Sequence, residues 1–266
     1  METINQTLSG ITTQYDDPGD AEYEAILNRE PGDLTGFDCP DCLNRGYFWR
    51  VRHGEKYTER CRCMNTRAGL TRLKKSGLEK AAANCTLKNF EVSEPWQRAM
   101  LDTAKAFLGD RDRQWMMISG QSGCGKTHIC TATAVRLLKA GAKTRYIQWT
   151  ESARQLSAAI FDEAAYEERI VPLKRVRVLY IDDLFKTQNN KPPTDRDFTL
   201  AFELLNARYN DPSLITIIST EHALQDLSNM DVALAGRIAE RCGRYYARIK
   251  QAAGRNYRER FLRQEV

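Results

Sequence analysis

The sequence has no long hydrophobic run and no segment that resembles a secretion signal. Its longest apolar stretches, such as residues 214–218, are far shorter than the ~20 residues that a membrane-spanning helix requires. The first ten residues contain neither the basic region nor the apolar region of a signal peptide. Internal repeats and low-complexity tracts are also missing. We therefore expect a cytoplasmic protein with no membrane contact, large enough for one medium domain and a small second one.

Charge of either sign is unevenly spread along the chain. Residues 1–41 contain ten acidic side chains and one arginine, whereas residues 42–90 contain twelve basic and three acidic ones. Residues 237–266 contain nine basic and three acidic side chains. Such blocks indicate that different surfaces bind different partners, with a polyanion as the partner of the basic surfaces. Alternatively, the blocks are solvated faces that keep the protein soluble.

Four of the eight cysteines are spaced as metal ligands, Cys-x2-Cys followed after eighteen residues by Cys-x-Cys. Without a secretion signal, clustered cysteines favour metal binding over disulfides. Four thiolates suffice for a closed tetrahedral zinc site, and zinc would explain how so short a segment holds a fold. The predicted zinc ligands are Cys39, Cys42, Cys61 and Cys63. The second pair is unusually tight, so His53 is an alternative to one sulfur, and free thiols are the alternative to zinc.

Aromatic and basic side chains occur close together within the same segment. They are Tyr47, Phe48, Trp49, Arg50, Arg52 and Arg60. Such side chains can stack bases and contact phosphates. They can equally form the small core of a zinc module or a surface that docks another protein.

From Trp96 onward the pattern alternates between helix and strand, which predicts an α/β domain with a parallel sheet between helices. Strands are predicted over residues 115–119, 144–149, 176–181, 214–219 and 245–249. Helices are predicted over residues 96–108, 129–138, 152–168, 198–209 and 232–241. Upstream, we expect a short acidic helix around Tyr23, a basic helix that ends at Gly77 and an extended segment at residues 86–90. The predicted parts are an acidic arm (1–38), a zinc-binding module (39–66), a basic linker (67–95) and the α/β domain (96–266).

A phosphate-binding loop occupies residues 120–127, which satisfy Gly-x4-Gly-Lys-Thr between a predicted strand and a predicted helix. Gly120, Gly123 and Gly125 let successive N–H groups point at a phosphate at the positive end of that helix. Lys126 would neutralise the β and γ phosphates of ATP, and the Thr127 hydroxyl would bind Mg²⁺. The predicted nucleotide-binding residues are Gly120, Gln121, Ser122, Gly123, Cys124, Gly125, Lys126, Thr127, His128 and Asp182.

Two carboxylates, Asp182 and Asp183, follow the strand predicted at residues 176–181. The carboxyl end of a parallel strand lies beside the phosphate crevice of such folds. Asp182 is predicted to complete the Mg²⁺ shell, and Asp183 to polarise the attacking water. The alternative is that both acids merely end a strand.

The motifs GQSGCGKTH, VLYIDDL and IISTE, with residues 204–209, 236–241 and 254–258, occur in an order that resembles a known family. They resemble the AAA+ ATPase domain of DnaC/DnaI-type bacterial replicative-helicase loaders, over about residues 85–266, and IstB-type transposition helpers share much of the pattern. The resemblance implies an AAA+ P-loop core and an ATP site shared between subunits of a homo-oligomer. It implies that Arg241 is the finger that reaches the neighbouring subunit's γ-phosphate, with Arg237 supporting it or taking that role instead, and that Arg258 senses the nucleotide in its own subunit. Arginine suits these roles because its charge is permanent and its fork matches phosphate oxygens.

One position departs from this family. The strand predicted at residues 214–219 leads into Thr220 and Glu221, where the family usually has a polar sensor such as asparagine. Thr220 could hydrogen-bond the attacking water, whereas phosphates would repel Glu221. The departure predicts slow hydrolysis or a sensor role for Thr220.

The function implied by the resemblance is ATP-dependent loading or remodelling of a replicative hexameric helicase. The N-terminal module would bind the helicase, the AAA+ assembly would hold single-stranded DNA, and hydrolysis would release the helicase. Two alternatives stay open: an IstB-like helper that binds target duplex DNA, and a zinc adaptor that binds ATP without hydrolysing it. A P-loop kinase is disfavoured because no arginine-rich lid lies between the motifs.

Overall fold

The chain forms two compact units, residues 1–70 and 71–266. The computed structural model describes residues 18–36, 38–187 and 192–259. Residues 1–17 of the predicted arm and 260–266 of the predicted α/β domain lie outside the described residues. The structure divides the chain at one point, inside the segment predicted as a linker, rather than at residues 38, 66 and 95.

The first unit combines an acidic helix with a β-hairpin. Helix α1 (Pro18–Leu27) confirms the helix expected around Tyr23. Strands β1 (Tyr47–Arg52) and β2 (Glu55–Arg60) pair antiparallel, from Tyr47 opposite Arg60 to Arg52 opposite Glu55. A two-residue turn joins them, and its residues have the positive φ values that such hairpin turns require.

The acidic and basic blocks of the sequence meet inside this unit. The side-chain amide of Asn28 donates to the Trp49 carbonyl at 2.8 Å and accepts from its N–H at 3.0 Å, as a neighbouring strand would. Glu24 forms a 2.5 Å ion pair with Arg50. Arg45 donates to the carbonyl that ends α1 at 2.7 Å. The acidic segment from residue 20 onward is therefore part of the cysteine module rather than a separate arm.

The second unit is built on a five-stranded parallel sheet with the order β4-β5-β6-β3-β7. All five predicted strands are present, with ends shifted by up to three residues. They are β3 (Trp115–Gly120), β4 (Thr144–Gln148), β5 (Val178–Leu184), β6 (Ile215–Thr220) and β7 (Tyr246–Ile249). The carboxyl ends of β3, β5 and β6 are therefore neighbours, which brings the phosphate loop, the paired acids and the predicted sensor to one edge.

Helices cover both faces of this sheet. The helices of the chain after α1 are α2 (Cys63–Ser76), α3 (Glu79–Ala82), α4 (Pro95–Gly109), α5 (Lys126–Lys139), α6 (Trp149–Ala159), α7 (Glu163–Arg175), α8 (Asp195–Tyr209), α9 (Leu224–Met230) and α10 (Val232–Cys242). Met116 and Ile118 of β3 pack with α4 and α5, whereas Trp115 and Met117 pack with α6 to α10 on the other face. This alternation is the two-residue period of a strand buried on both sides.

Two local predictions were wrong. The helix predicted over residues 152–168 is divided into α6 and α7, because Asp162 accepts a 3.0 Å hydrogen bond from the N–H of Ala165 and starts a new helix. The extended segment predicted at residues 86–90 contains a turn, in which the Asn89 side chain accepts from both the N–H and the hydroxyl of Thr86. Among the described residues, no helix is long and apolar enough to cross a membrane.

A buried arginine ties α7, α8 and β6 together. The Arg208 side chain is fully buried, and burial lowers its pKa to about 9, so the guanidinium stays protonated at neutral pH. Its acceptors are the carbonyls of Leu173 (2.9 Å), Val176 (2.9 Å) and Ile215 (2.7 Å) and the hydroxyl of Thr216 (3.0 Å).

We expect Arg208→Met to lower the free energy of unfolding by about 3 kcal/mol or more, because it leaves several buried carbonyls without a donor. Urea unfolding followed by circular dichroism measures this loss. The exposed Arg98 on α4 is the matched control, and Arg98→Met is expected to change the free energy by less than about 0.5 kcal/mol. An equal, small effect of both substitutions would contradict this role for Arg208.

Candidate nucleotide site and metal centre

The phosphate loop connects the end of β3 to the start of α5, as predicted. Gly123 and Gly125 have φ values of 77° and 93°, which side chains disfavour. A Cβ atom at Gly123 would lie 1.8 Å from Oδ1 of Asn256, and one at Gly125 would lie 2.8 Å from the ring of Phe90. Both positions therefore require glycine for conformation and for space.

Lys126 and Thr127 of the loop have defined hydrogen-bond partners. Lys126 is only 5% exposed, and its Nζ donates to the carbonyls of Gly120 at 2.8 Å and Gln121 at 2.9 Å. The Thr127 hydroxyl donates to Oδ1 of Asp182 at 3.1 Å. The predicted magnesium residues of the loop and of β5 are thus in direct contact.

Asp182 is buried and is oriented by hydroxyl groups. Tyr180 donates to Oδ1 at 2.7 Å, Tyr146 donates to Oδ2 at 3.2 Å, and Ser219 donates to Oδ1. Burial and the neighbouring Asp182 charge raise the pKa of both tyrosines, which therefore remain donors. A carboxylate beside the Thr127 hydroxyl is an oxygen donor set that suits Mg²⁺.

Asp183, the last residue but one of β5, has a strained conformation. Its φ is +55°, and the pairing of β5 with β6 is irregular between Ile181 and Leu184. Its N–H donates to the Ser219 hydroxyl at 3.0 Å, and its Oδ2 lies 2.9 Å from Nζ of Lys186. Such strain at a carboxylate beside a phosphate loop is typical of a functional site.

A cleft of about 410 Å³ lies over the loop. Its walls include Asn84, Asn89, Phe90, Trp96, Ser122, Cys124, His128, Asp183, Lys186, Tyr257 and Arg258. His128 joins two walls, because its Nε2 lies 2.9 Å from the Thr86 carbonyl and 3.1 Å from Oδ1 of Asn89. Oε1 of Gln121 accepts a 2.7 Å hydrogen bond from the N–H of Ala252, which links the phosphate loop to the segment that follows β7. Residues 122–128 of the predicted loop and Arg258 thus border one space, whereas Gly120, Gln121 and Asp182 do not line it. Trp96 and Lys186, which also line it, were not predicted from the sequence.

The expectation that Thr220 faces the phosphates is corrected by the structure. Its side chain is buried, and its hydroxyl donates to the Leu184 carbonyl at 2.7 Å. Ser219, one residue earlier, is the hydroxyl that contacts both Asp182 and Asp183. The reason is the strand period, since successive residues of β6 point to opposite faces.

The two candidate finger arginines differ in how they are held. Arg241 donates to Oε1 of Gln114 at 2.6 Å and to the Tyr209 carbonyl, and its guanidinium lies 4.6 Å from the Tyr209 ring centroid. Arg237 donates at 2.9 Å to the carbonyl of Ala233 on its own helix, and it lies over aromatic rings of α8. Arg241 therefore fixes α10 to the rest of the unit, and Arg237 is the less constrained of the two.

The four predicted cysteines come together in the first unit. All four are buried, and their sulfur atoms lie within 4.8 Å of one another. The Sγ atoms of Cys39 and Cys61 are 3.8 Å apart, and those of Cys42 and Cys63 are 3.5 Å apart. Tetrahedral zinc with Zn–S bonds of about 2.3 Å separates sulfurs by about 3.8 Å, so this cluster could hold zinc.

Backbone geometry around the cysteines also fits a metal site. Leu43 and Asn44 have φ values of 47° and 66°, which curl the chain so that the N–H of Gly46 donates to Sγ of Cys42 at 3.3 Å. Burial raises the pKa of Cys42, but this bond and the neighbouring thiols outweigh it and lower the pKa to about 7. Burial raises the pKa of Cys61 to about 12. The alternative ligand His53 is exposed in the hairpin turn, outside the cluster.

The aromatic and basic residues of this unit are largely used within it. Phe48 packs against the cysteines, and Tyr47 and Trp49 pack edge to face with centroids 5.6 Å apart. Arg50 pairs with two glutamates, at 2.5 and 2.6 Å. Of the interpretations left open by the sequence, these contacts favour the small core of the cysteine module over base stacking.

Comparison with known proteins agrees with this geometry. The family model described as "IstB-like ATP binding protein" matches residues 53–264. The phage-like element PBSX protein XkdC of Bacillus subtilis (strain 168) is 30% identical over 231 residues, covering 83% of this chain and 85% of that protein.

Solved structures share the fold. The crystal structure of DnaI aligns with a TM-score of 0.52 and 20% identity, covering 64% of this chain and 93% of that chain. The structure of the DnaC helicase loader aligns with a TM-score of 0.50 and 22% identity, covering 64% of this chain and 99% of that chain. The chain therefore belongs to the IstB-like ATP-binding protein family and has the α/β fold of an AAA+ P-loop core.

Proposed function

We propose that the protein is an ATP-dependent loader or remodeller of a replicative hexameric DNA helicase. The observation that carries this proposal is the joining of two parts in one chain: a phosphate loop whose Thr127 contacts Asp182, and a cluster of four cysteines that precedes it. Similarity in fold to the DnaC helicase loader and to DnaI supports the proposal. The cysteine module binds the helicase, and ATP in the second unit controls when the helicase is held and released.

ATP is the substrate of the second unit. Lys126 neutralises the β and γ phosphates, and Arg258 contacts them from the opposite wall of the cleft. Thr127 and Asp182 would hold Mg²⁺, which would offset the charge of the phosphate oxygens. Asp183 orients and deprotonates the attacking water, with Ser219 holding its backbone in place.

Each active site is completed by a neighbouring copy of the chain, so the working form is a homo-oligomer. We assign the finger role to Arg237, because the guanidinium of Arg241 already donates hydrogen bonds to Gln114 and to the Tyr209 carbonyl. A finger must leave its own subunit and reach a γ-phosphate across the interface. An arginine held mainly by its own helix and by stacking can do this with little loss of packing.

The first unit offers a surface for the helicase. A groove lies between the end of α1 and β1, where Ile26 is 50% exposed beside Tyr47 and Trp49, with Glu30 and Asp33 in the wall. Aromatic anchors with acidic side chains beside them suit a basic amphipathic helix of the partner. Single-stranded DNA is bound by the second unit, where Arg244, Arg248 and Lys250 are exposed after α10.

The test is deposition of the host replicative helicase on closed circular single-stranded DNA. We expect the wild-type protein with ATP to increase the amount of DNA-bound helicase, and Lys126→Ala to give no increase. A protein that hydrolyses ATP but leaves helicase deposition unchanged would contradict the loader function.

A second candidate is an IstB-type transposition helper, which the matched family model favours. That function predicts tight binding of duplex DNA and ATP-dependent filaments in the absence of helicase. Electron microscopy of the protein with linear duplex DNA and ATP distinguishes the two candidates.

A further inference from the structure

Glu221 places a carboxylate close to the phosphate loop. It follows β6 directly, and it lines a second cleft of about 510 Å³ together with Gly120, Gln121 and Ser122. Burial raises the pKa of the Cys124 thiol inside the loop, and the charge of Glu221 adds to that rise. An unpaired carboxylate at this position would repel the terminal phosphate of ATP.

Lys186 is the cation that meets this charge. Its Nζ lies 3.4 Å from Oε1 of Glu221 and 2.9 Å from Oδ2 of Asp183. One lysine therefore bridges the acid at the end of β5 and the acid that follows β6, the strand next to it in the sheet. Lys186 also lines the cleft over the loop, with Asp183 and Lys126.

The backbone fixes Lys186 in this position. Asp183 and Phe185 both have positive φ values, of 55° and 62°, and the N–H of Lys186 donates to the Asp183 carbonyl at 3.0 Å. The Phe185 side chain is buried against Trp149 and Phe198. The turn thus places the Lys186 side chain next to the Asp183 carboxylate. The buried Phe185 ring fixes the conformation of the turn.

We propose that Lys186 is a positioning residue that neutralises Glu221 and orients Asp183, so that a site with a carboxylate at the sensor position accepts the γ-phosphate of ATP. This inference rests on the proposed ATPase function. It explains how a triphosphate site can tolerate the Glu221 carboxylate beside the phosphate loop. Lys186 acts through the two acids and is not itself a catalytic residue.

Other charged groups face the same cleft. Lys126 comes from the loop, and Arg255 and Arg258 come from the C-terminal segment. His222 lies with Nε2 3.3 Å from the Phe185 carbonyl. Partial burial lowers the pKa of Lys186, but the Asp183 and Glu221 carboxylates outweigh burial and raise it, so the lysine remains charged at neutral pH.

The test measures nucleotide affinity, with fluorescent ATP and ADP analogues titrated into wild-type protein and variants. Lys186→Met is expected to weaken ATP binding by about tenfold and ADP binding by much less, because the uncovered charge acts on the terminal phosphate. Adding Glu221→Gln to Lys186→Met is expected to restore most of the ATP affinity. Lys186→Arg, which keeps the charge, is expected to stay within about threefold of wild type.

Lys174→Met is the matched control, because Lys174 forms a 2.6 Å ion pair with Glu203 on the outer helices of the same unit. It is expected to leave both affinities unchanged. If Lys186→Met does not fold, the ATP affinity of the single variant Glu221→Gln tests the inference. That affinity is expected to equal or exceed the affinity of the wild-type protein. Equal losses for ATP and ADP, no restoration by Glu221→Gln, or a loss caused by Glu221→Gln alone would each overturn the inference. Wild-type protein that binds no ATP would instead contradict the proposed function.

Discussion

Replacing Lys126 with alanine is expected to lower kcat/KM for ATP hydrolysis by about a hundred- to a thousandfold, the usual cost of removing one preorganised group that stabilises developing charge. Lys126 is nearly fully buried at the start of α5, within reach of the loop carbonyls, so its ammonium is already beside the position of the phosphates. Steady-state release of phosphate measures the effect.

Lys139→Ala provides the control on the same helix. Lys139 is the last residue of α5 and is exposed, and its removal is expected to leave hydrolysis within about twofold of wild type. Urea unfolding of both variants separates loss of chemistry from loss of fold. Hydrolysis by a folded Lys126→Ala variant at the wild-type rate would contradict the assignment of the phosphate site.

The same variant also tests whether the site is shared between subunits. Arg237→Ala is expected to be inactive alone, since it lacks the finger, and mixing it with Lys126→Ala is expected to restore part of the activity. In the mixture, an intact loop from one chain meets an intact finger from the other. Arg241→Ala is instead expected to lower stability, because Arg241 bonds to Gln114 and Tyr209. Restoration by Arg241→Ala but not by Arg237→Ala would reverse the assignment.

Replacing Cys42 with serine is expected to abolish metal binding and unfold the first unit. Structural zinc contributes about 10–16 kcal/mol to the folding of small zinc modules at neutral pH, far more than the apolar core of so small a unit. Cys42 is fully buried and accepts the N–H of Gly46, so it is central to the cluster. Hydrogen exchange is expected to show lost protection in residues 18–62, with residues 95–259 unchanged.

Cys85→Ser is the control, because Cys85 lies outside the cluster and is only partly buried. Elemental analysis is expected to find one zinc ion per chain both in this variant and in the wild-type protein. A strong chelator added to wild-type protein is expected to reproduce the hydrogen-exchange pattern of Cys42→Ser. Wild-type protein without bound metal, or a Cys42→Ser variant with full protection of the first unit, would contradict the zinc assignment.

Features that depend on a short stretch of sequence could be predicted. The strand, loop and helix around residues 115–139 follow from an apolar run, three glycines and a helical period, and the structure confirms them almost to the residue. The four cysteines could be predicted to form one cluster because their number and spacing are visible within a single short segment of the sequence. The contact of Thr127 with Asp182 followed from parallel topology, which brings strand ends to one edge of the sheet.

Features that depend on register or on distant pairing could not be predicted. The choice between Ser219 and Thr220 reverses with a shift of one residue in the strand, and the bulge in β5 that sets this register has no clear sequence signal. The position of Lys186 depends on two left-handed residues in the preceding turn. The acidic helix looked like a free arm because its partners, Trp49 and Arg50, lie more than twenty residues away in sequence.

The measurement that tests the central claim most directly is the light-scattering mass of the protein mixed with the host replicative helicase. It is made with ATP, with ADP, with Lys126→Ala and with Cys42→Ser. We predict a stable complex whose mass depends on the nucleotide, and which is lost with Cys42→Ser because the groove proposed to bind the helicase belongs to the cysteine module. Unchanged masses of the separate proteins in every nucleotide state would contradict the loader function and favour the transposition helper.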